Sequence, residues 1–512
     1  MRLPILFITG GVLLLSGCQT SPELPAEPQA PVVVTPPKVT PTVEIEQPIA
    51  VTDVWQRIRL GLTMPVPDQK LVNQYRDWYI KNPQHLARVS ERAKPFMYLI
   101  VEEVEKRNLP IELALLPIVE SAFDPFAYSH GAASGLWQFT SPMARHFGLE
   151  MNWWYDGRRD VPAATVAAMD MMEYLYGRTG ENWLYAIAAY NTGEGRVNNA
   201  VRNNKRKGKS HDFWSLRLPT ETRRYVPQLL ALADVIQHAD KYGIELAPIA
   251  NEPQLEVVDI GSQIDLALAA DIAGLTTTEL HQLNPGYNRW ATAPDGPHKL
   301  VLPIEKAAAF KTELAKTDAK SRLKWQRYQI KSGDSLGVIA QKFHTTPSAL
   351  KAVNNLNGNT IIAGRHLLIP VASQDLSEYD LSADQRLTSQ QNRQRKGVKI
   401  DYHVSSGDSL WKIAKDHKVK VSQLASWNNM APSDPLRVGQ KMVIWTQGAA
   451  NSQGVTRTVN YTVRSGDSLA RIASKFKVRV GDLVRWNSLD QQKYLQPGQK
   501  LTLYVNVTGN RV

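Results

Sequence analysis

Residues 402–430 read YHVSSGDSLWKIAKDHKVKVSQLASWNNM, and the same cadence begins at Tyr328 (YQIKSGDSLGVIAQKFHTTPSALKAVNNL) and at Tyr461 (YTVRSGDSLARIASKFKVRVGDLVRWNSL). Each copy closes on a Gly-x-x-apolar run: AGRHLLIP, VGQKMVIW and PGQKLTLY. Self-similarity at a fixed period marks a modular array. Within a copy, a short alternating strand leads to a Ser that can cap a helix, then come LxxIA, a turn, a second helix ending LxxxN, and a closing strand. The pattern predicts a βααβ module of about 43 residues, placed at 327–371, 401–446 and 460–505. Residues 254–304 keep the skeleton (Leu266, Ala270, Leu280, Asn284, then HKLVLP) without the Gly-Asp-Ser cap, which predicts a diverged fourth copy. Residues 372–400 are rich in Gln, Ser, Asp and Arg, the composition of a flexible linker.

These repeats resemble the lysin motif (LysM), whose members bind N-acetylglucosamine polymers in a shallow groove between the cap loop and the loop after the second helix. The resemblance places the glycan groove at Gly333, Asp334 and Ser335, at Gly407, Asp408 and Ser409, and at Gly466, Asp467 and Ser468. The same Asp and Ser side chains can equally serve as helix caps, and the sequence leaves both roles open. Several weak sites on one chain gain roughly 10²–10⁴ in avidity when the ligand is a polymer.

The chain has 512 residues, so a prior of roughly three or four domains applies. Hydrophobic residues at 43% and charged residues at 21% are ordinary for folded protein. Sixty Lys+Arg against 48 Asp+Glu give a net charge of +12, which suits an anionic partner: nucleic acid, anionic lipid or an acidic wall polymer. The amino terminus, MRLPILFITGGVLLLSGC, has a basic residue, an apolar stretch and small residues before Cys18, the pattern of an export signal over residues 1–17. Its apolar stretch is shorter than the ~20 residues that span a bilayer. Leu15-Ser16-Gly17-Cys18 resembles the lipobox of bacterial lipoproteins, which implies lipidation of Cys18. With Gln19 after it, the resemblance implies an outer-membrane lipoprotein facing the periplasm. A single cysteine removes disulfides. Residues 18–50 are proline-crowded and read as a semi-extended tether, with a reach on the order of 80–100 Å.

Residues 51–245 carry helix after helix, such as 95–107 and 163–176. Within LALLPIVESAFDP (113–125) a helical register puts Leu113, Leu116 and Glu120 on one face, so Glu120 projects from an apolar stripe. Such a carboxyl needs a partner, an escape to solvent, or a use for a raised pKa as a general acid. An ordinary helix-end glutamate is the alternative. Downstream stand GLWQF (135–139), AYNTGEG (189–195) and ETRRYV (221–226). In this order they resemble the motifs of goose-type-lysozyme-like lytic transglycosylases, with Trp137, Thr192 and Glu194 as departures. The expected fold is therefore multidomain: a mostly α, lysozyme-like catalytic domain followed by small βααβ LysM modules.

The resemblance implies that Glu120 is the single catalytic carboxylate, acting on the glycan strands of peptidoglycan without water. It implies that Ser129, Gln138, Tyr190 and Asn191 line the cleft, holding Glu120 or the substrate's N-acetyl groups. A hydrolytic muramidase using the same Glu120 and a non-catalytic wall-binding scaffold are the competing expectations. Glu194 is either a second carboxylate or a loop residue. Asp124 reads as a turn residue; Trp153, Trp154 and Trp183 read as core, with stacking on sugar faces as the alternative; and the basic run 202–209 reads as a solvated loop, with contact to the carboxylates of peptide stems as the alternative. No His or Cys spacing fits a metal and no glycine-rich loop fits a phosphate, so no cofactor is expected; a nucleic-acid role has only the net charge behind it.

Overall fold

The computed structural model describes residues 50–446, 456–476, 478–487, 489 and 495–506. The export signal, Cys18 and the tether up to residue 49 lie outside the described residues.

The helical domain comprises α1 (Val54–Gly61), α2 (Lys70–Lys81), α3 (Pro83–Ala93), α4 (Met97–Lys106), α5 (Leu116–Ser121), α6 (Ser141–His146), α7 (Val161–Arg178), α8 (Trp183–Thr192), α9 (Glu194–Arg206) and α10 (Thr220–Gln237). Helix starts follow from the punctuation: Pro stands in the first turn of α3, α5, α6 and α7, where a missing N–H does no harm. Asp53 caps α1 by accepting from Gln56 N at 3.2 Å. Its other oxygen accepts from Ile249 N at 2.9 Å, which ties the two ends of the domain together. One apolar core unites α1 with α4, α7, α8 and α10, including Trp55, Trp137 and Leu113. The basic run 202–209 is solvated but not a loop: α9 continues to Arg206, so most of it is helical.

Residues 255–316 fold as β1 (Leu255–Asp259), α11 (Leu266–Ala273), α12 (Thr277–Leu283), β2 (Lys299–Pro303) and α13 (Ile304–Lys316). The three later modules follow the same order: β3 (Lys324–Gln329), α14 (Leu336–Lys342), α15 (Pro347–Val353), β4 (His366–Val371); then, after α16 (Ala383–Asn392), β5 (Val398–His403), α17 (Leu410–Asp416), α18 (Val421–Trp427), β6 (Lys441–Thr446); then β7 (Thr456–Thr462), α19 (Leu469–Lys475), α20 (Val480–Asn487), β8 (Lys500–Asn506). In each module the two strands form one antiparallel pair, as in Tyr328 opposite Leu367 and Tyr402 opposite Met442.

One side chain locks every module. Asn354, at the end of α15, donates to Leu368 O (2.8 Å) and accepts from Leu368 N (2.7 Å), so its amide pairs with the closing strand as another strand would. Asn284, Asn428 and Asn487 do the same to Val301, Val443 and Thr502. The Gly-Asp-Ser turns are equally uniform. Asp334 Oδ2 accepts from Tyr328 O–H and Lys331 N, both at 2.8 Å, and Ser335 caps α14 at Val338 N. Asp408 with Ser409, and Asp467 with Ser468, repeat this at Tyr402 and Tyr461.

The diverged module solves the lost cap differently. Asp265 caps α11 at Ala267 N (2.8 Å) and accepts from the hydroxyl of Tyr379 (2.8 Å), a residue contributed by the segment after β4. That segment is not the flexible linker its composition predicts. Tyr379 is fully buried, α16 is capped by Ser382, and Gln391 donates to Asn428 Oδ1 at 3.0 Å. Its buried polar residues, Tyr379 and Gln391, bond to the neighbouring modules, while most of its other polar residues face solvent.

A loop of the helical domain enters this second core. Trp154 meets Trp290 edge to face at 5.7 Å, Trp153 lies under the guanidinium of Arg289, and Asp156 N donates to Gly286 O at 2.8 Å. A Cβ on Gly286 would stand 2.8 Å from the Tyr155 ring, so close approach fixes glycine there. Trp183 stacks on Tyr176 at 4.2 Å. All three tryptophans are thus packed against protein rather than displayed.

Candidate functional site

The LALLPIVES stretch is not one helix. Residues Ile111–Leu115 form a 3₁₀ turn, and α5 starts at Leu116 with Pro117 in its first turn. The register from Leu113 to Glu120 is therefore broken at its start, although Leu113 and Leu116 are both fully buried. α5 ends abruptly after Ser121: Ala122 (φ 50°) and Phe123 (φ 59°) are both left-handed, and their N–H groups cap Ile118 O and Pro117 O. Two non-glycine residues in this region are costly and persist only where their surroundings enforce them. Ser121 supplies part of that enforcement, donating to Pro117 O or Leu136 O, each at 3.0 Å.

Glu120 is half-buried and opens into a cleft of about 470 Å³ lined by Tyr75, Asn191, Glu221, Arg224, Tyr225 and Gln228 among others. Four elements build it: Tyr75 of α2, the end of α5, the end of α8 and the N-terminal half of α10. Tyr225 O–H donates to Glu120 Oε1 at 2.5 Å. Burial pushes the Glu120 carboxyl up to about 7; the Tyr225 hydrogen bond opposes this and the Glu221 charge adds to it. A proton is therefore held near neutral pH, inside a cleft, by a group with a free second oxygen. That is the state a general acid needs.

Of the residues expected here, Asn191 lines the cleft, accepting from Thr222 Oγ1 at 2.8 Å. Tyr190 lies beneath it: its hydroxyl donates to Trp137 O at 2.7 Å, and its pKa is raised by burial and by the nearby Glu120. Gln138 (φ 51°) and Ser129 do not bond Glu120. Gln138 donates to Gly135 O at 2.8 Å, and Ser129 Oγ accepts from Ala133 N at 3.0 Å, so both shape the loop between α5 and α6. Gly135 in that loop has φ 84°, and a Cβ there would stand 1.9 Å from Arg158 O. Asp124 closes a turn on Phe126 N (2.9 Å), as expected. Asp156 pairs with Arg158 (2.8 Å) and Asp160 caps α7 at Ala163 N.

Glu194 is placed in the first turn of α9, where its charge favours the helix, and it is absent from the cleft lining. The second carboxylate at the cleft is Glu221. Tyr225 and Glu221 were visible only as parts of the ETRRYV segment, more than a hundred residues from Glu120; nothing local marks their convergence. Glu112 is another buried acid the apolar run hides: its Oε1 accepts from Thr63 N (2.7 Å) and Met64 N (2.6 Å), anchoring the loop after α1. Among the described residues no cluster of three or more His, Cys, Asp or Glu is arranged to hold a metal.

A helical domain with a proton-holding glutamate in a cleft, followed by repeated βααβ modules, defines the class, and comparison with known proteins agrees. Residues 97–213 match the transglycosylase SLT domain, 254–319 match the LysM-like domain of lytic transglycosylase MltD, and 328–370, 402–445 and 461–503 match the LysM domain. The membrane-bound lytic murein transglycosylase D of Escherichia coli K12 is 37% identical over 398 residues, covering 75% of this chain and 85% of that protein. The chain belongs to the membrane-bound lytic murein transglycosylase D family. An autolysin of Enterococcus faecalis is 31% identical over 194 residues, 36% of this chain and 25% of that protein. The solved 70 kDa soluble lytic transglycosylase of Escherichia coli aligns over 34% of this chain and 32% of its own, at 21% identity and a TM-score of 0.25.

Proposed function

We propose that this protein cleaves the β-1,4 bond between N-acetylmuramic acid and N-acetylglucosamine in peptidoglycan, with Glu120 as the acid and then the base. The carrying observation is the raised proton affinity of Glu120 in a cleft, with Tyr225 fixing one carboxylate oxygen. Glu120 gives its proton to the glycosidic oxygen. As carboxylate it then takes the proton from the 6-hydroxyl of the same muramyl sugar, whose oxygen closes on C1 to leave a 1,6-anhydro end. The substrate's N-acetyl group steadies the developing cation, with Asn191 an amide on the cleft wall, and Tyr190 braces the loop at Trp137 O.

Membership in a family with a membrane-bound relative supports anchoring through Cys18, with the protein on the periplasmic face of the outer membrane. Among the described residues no helix is long and apolar enough to cross a membrane. The LysM modules hold the glycan. Their Asp and Ser side chains already serve the fold, so the groove's contacts fall to the turn backbone around Gly333, Gly407 and Gly466, all at positive φ.

Glu221 in the cleft favours one other reading, hydrolysis with Glu221 activating a water, since most glycosidases use two carboxylates. The test of the catalytic assignment is release of soluble fragments from purified sacculi by wild type and Glu120→Gln. Near-complete loss is expected, and equal release by both proteins would remove Glu120 from the role.

A further inference from the structure

Helix α16 lies between the second and third matched module regions, outside every family match. It borders a polar groove of about 520 Å³ lined by Gln385, Arg386, Ser389, Gln390, Asn392 and Asn429, together with Asp380. Gln390 and Asn429 continue into a smaller pocket of about 120 Å³ with Tyr128 and Ser129 on its wall, so the groove runs up to the loop that follows Glu120. There the two parts of the molecule are fastened: Tyr128 O–H donates to Asp434 at 3.0 Å.

Arg386 is the anomaly in this groove. Its guanidinium lies 4.5 Å from the centre of the Phe126 ring. Among the described residues no carboxylate stands within ion-pair distance of it, and its buried Nε–H has no acceptor. The charges facing it are mixed: Arg159 and Arg289 oppose its charge, and Asp156 and Asp124 favour it. Asp384 on its own helix is already engaged by Arg289 at 2.7 Å. Burial pulls its pKa down to about 8. Buried charges in folded proteins are paired, and this half-buried one is unpaired on the wall of an open groove whose other lining is mostly amides and hydroxyls, with Asp380 as its carboxylate. A guanidinium in that setting selects a carboxylate, and the amides select a peptide backbone.

We propose that the α16 groove binds the peptide stems of peptidoglycan, with Arg386 receiving a stem carboxylate. The proposal rests on the reading of peptidoglycan as the substrate. It gives the segment between modules a function of its own: it holds the side branch of a strand whose sugars occupy the neighbouring sites.

The test uses the full chain and a free stem tetrapeptide carrying no sugar, so that neither the catalytic cleft nor a glycan groove contributes through carbohydrate. Ligand-observed NMR titration is expected to show saturable binding by wild type. Arg386→Gln should weaken it about tenfold, the loss of one charge-assisted hydrogen bond. Because Arg386 also packs on Phe126, Ser389→Trp provides a second variant, which fills the groove from an exposed position and should weaken binding at least as much with an unchanged unfolding curve. Glu120→Gln should bind the peptide as wild type does, which separates this site from the catalytic reading. No saturable binding by wild type, or wild-type binding by both groove variants, would overturn the proposal.

Discussion

Glu120 and Asp334 are both carboxylates at the end of a short helix or turn beside an apolar core, and the molecule treats them oppositely. Asp334 receives a backbone N–H and a tyrosine hydroxyl on one oxygen, and these hold its pKa below the usual carboxylate range. Glu120 also receives a tyrosine hydroxyl, but no backbone N–H, and burial wins: its pKa rises to about 7. The difference is in burial and in the donors supplied, not in the residue type. A carboxylate saturated with donors becomes a fastener that is copied from module to module, whereas one left short of donors in a cleft becomes a proton carrier.

The largest expected effect follows directly. Glu120→Gln should lower the rate of fragment release by roughly 10²–10⁴ or more, while sedimentation with insoluble peptidoglycan stays at the wild-type level. If sedimentation fell with activity, the division of labour between domain and modules would be lost. Tyr225→Phe comes next. Removing a hydrogen bond to a charged group is worth about 1.5–3 kcal/mol, and since that bond favours the carboxylate, its loss should move the alkaline limb of the pH–rate profile upward. An unmoved limb would mean that Tyr225 does not govern Glu120.

Glu221→Gln separates the two cleavage chemistries. Where Glu221 only adds negative charge, activity should change by less than about tenfold, with the alkaline limb shifted slightly downward. A loss as deep as that of Glu120→Gln would make Glu221 the second catalytic carboxylate.

Stability against pH sharpens the contrast further, because the two carboxylates have opposite signs. A Glu120 pKa raised in the fold means that native protein is progressively destabilised between the unfolded value of about 4.5 and about 7, with the full penalty above that. Glu120→Gln should therefore raise the melting temperature of the helical domain at pH 8 and leave it nearly unchanged at pH 4. Asp334, Asp408 and Asp467 have lowered pKa values, so their contribution is complete above about 4 and is lost as pH falls through their folded values. Protection factors for hydrogen exchange, corrected for the intrinsic rate at each pH, should fall in α14, α17 and α19 below about pH 4, the smallest effect of the set, and Asp334→Asn should remove that fall in α14 alone.

Much of this was legible in the chain. The repeats displayed their own period, and the turns of Gly-Asp-Ser announced their caps. The apolar setting of Glu120 marked it as unusual even though the helix breaks at Leu116, because Pro117 starts a new helix where a continuous register was expected. What could not be read depended on contacts distant in sequence. Tyr225 meets Glu120 across 105 positions. Tyr379 meets Asp265 across 114, which is why a segment polar enough to be flexible is ordered instead. Ser129 and Gln138 illustrate the converse: motif position placed them at the cleft, while their hydrogen bonds go to the loop that forms its border. Composition reports what a residue prefers in water, and these residues are not surrounded by water.

The central claim is that one carboxylate performs both proton transfers with no water consumed. Mass spectrometry of the fragments released from purified sacculi tests it most directly. Muramyl ends lighter by one water than reducing ends, the 1,6-anhydro form, are the predicted result; reducing ends throughout would contradict it.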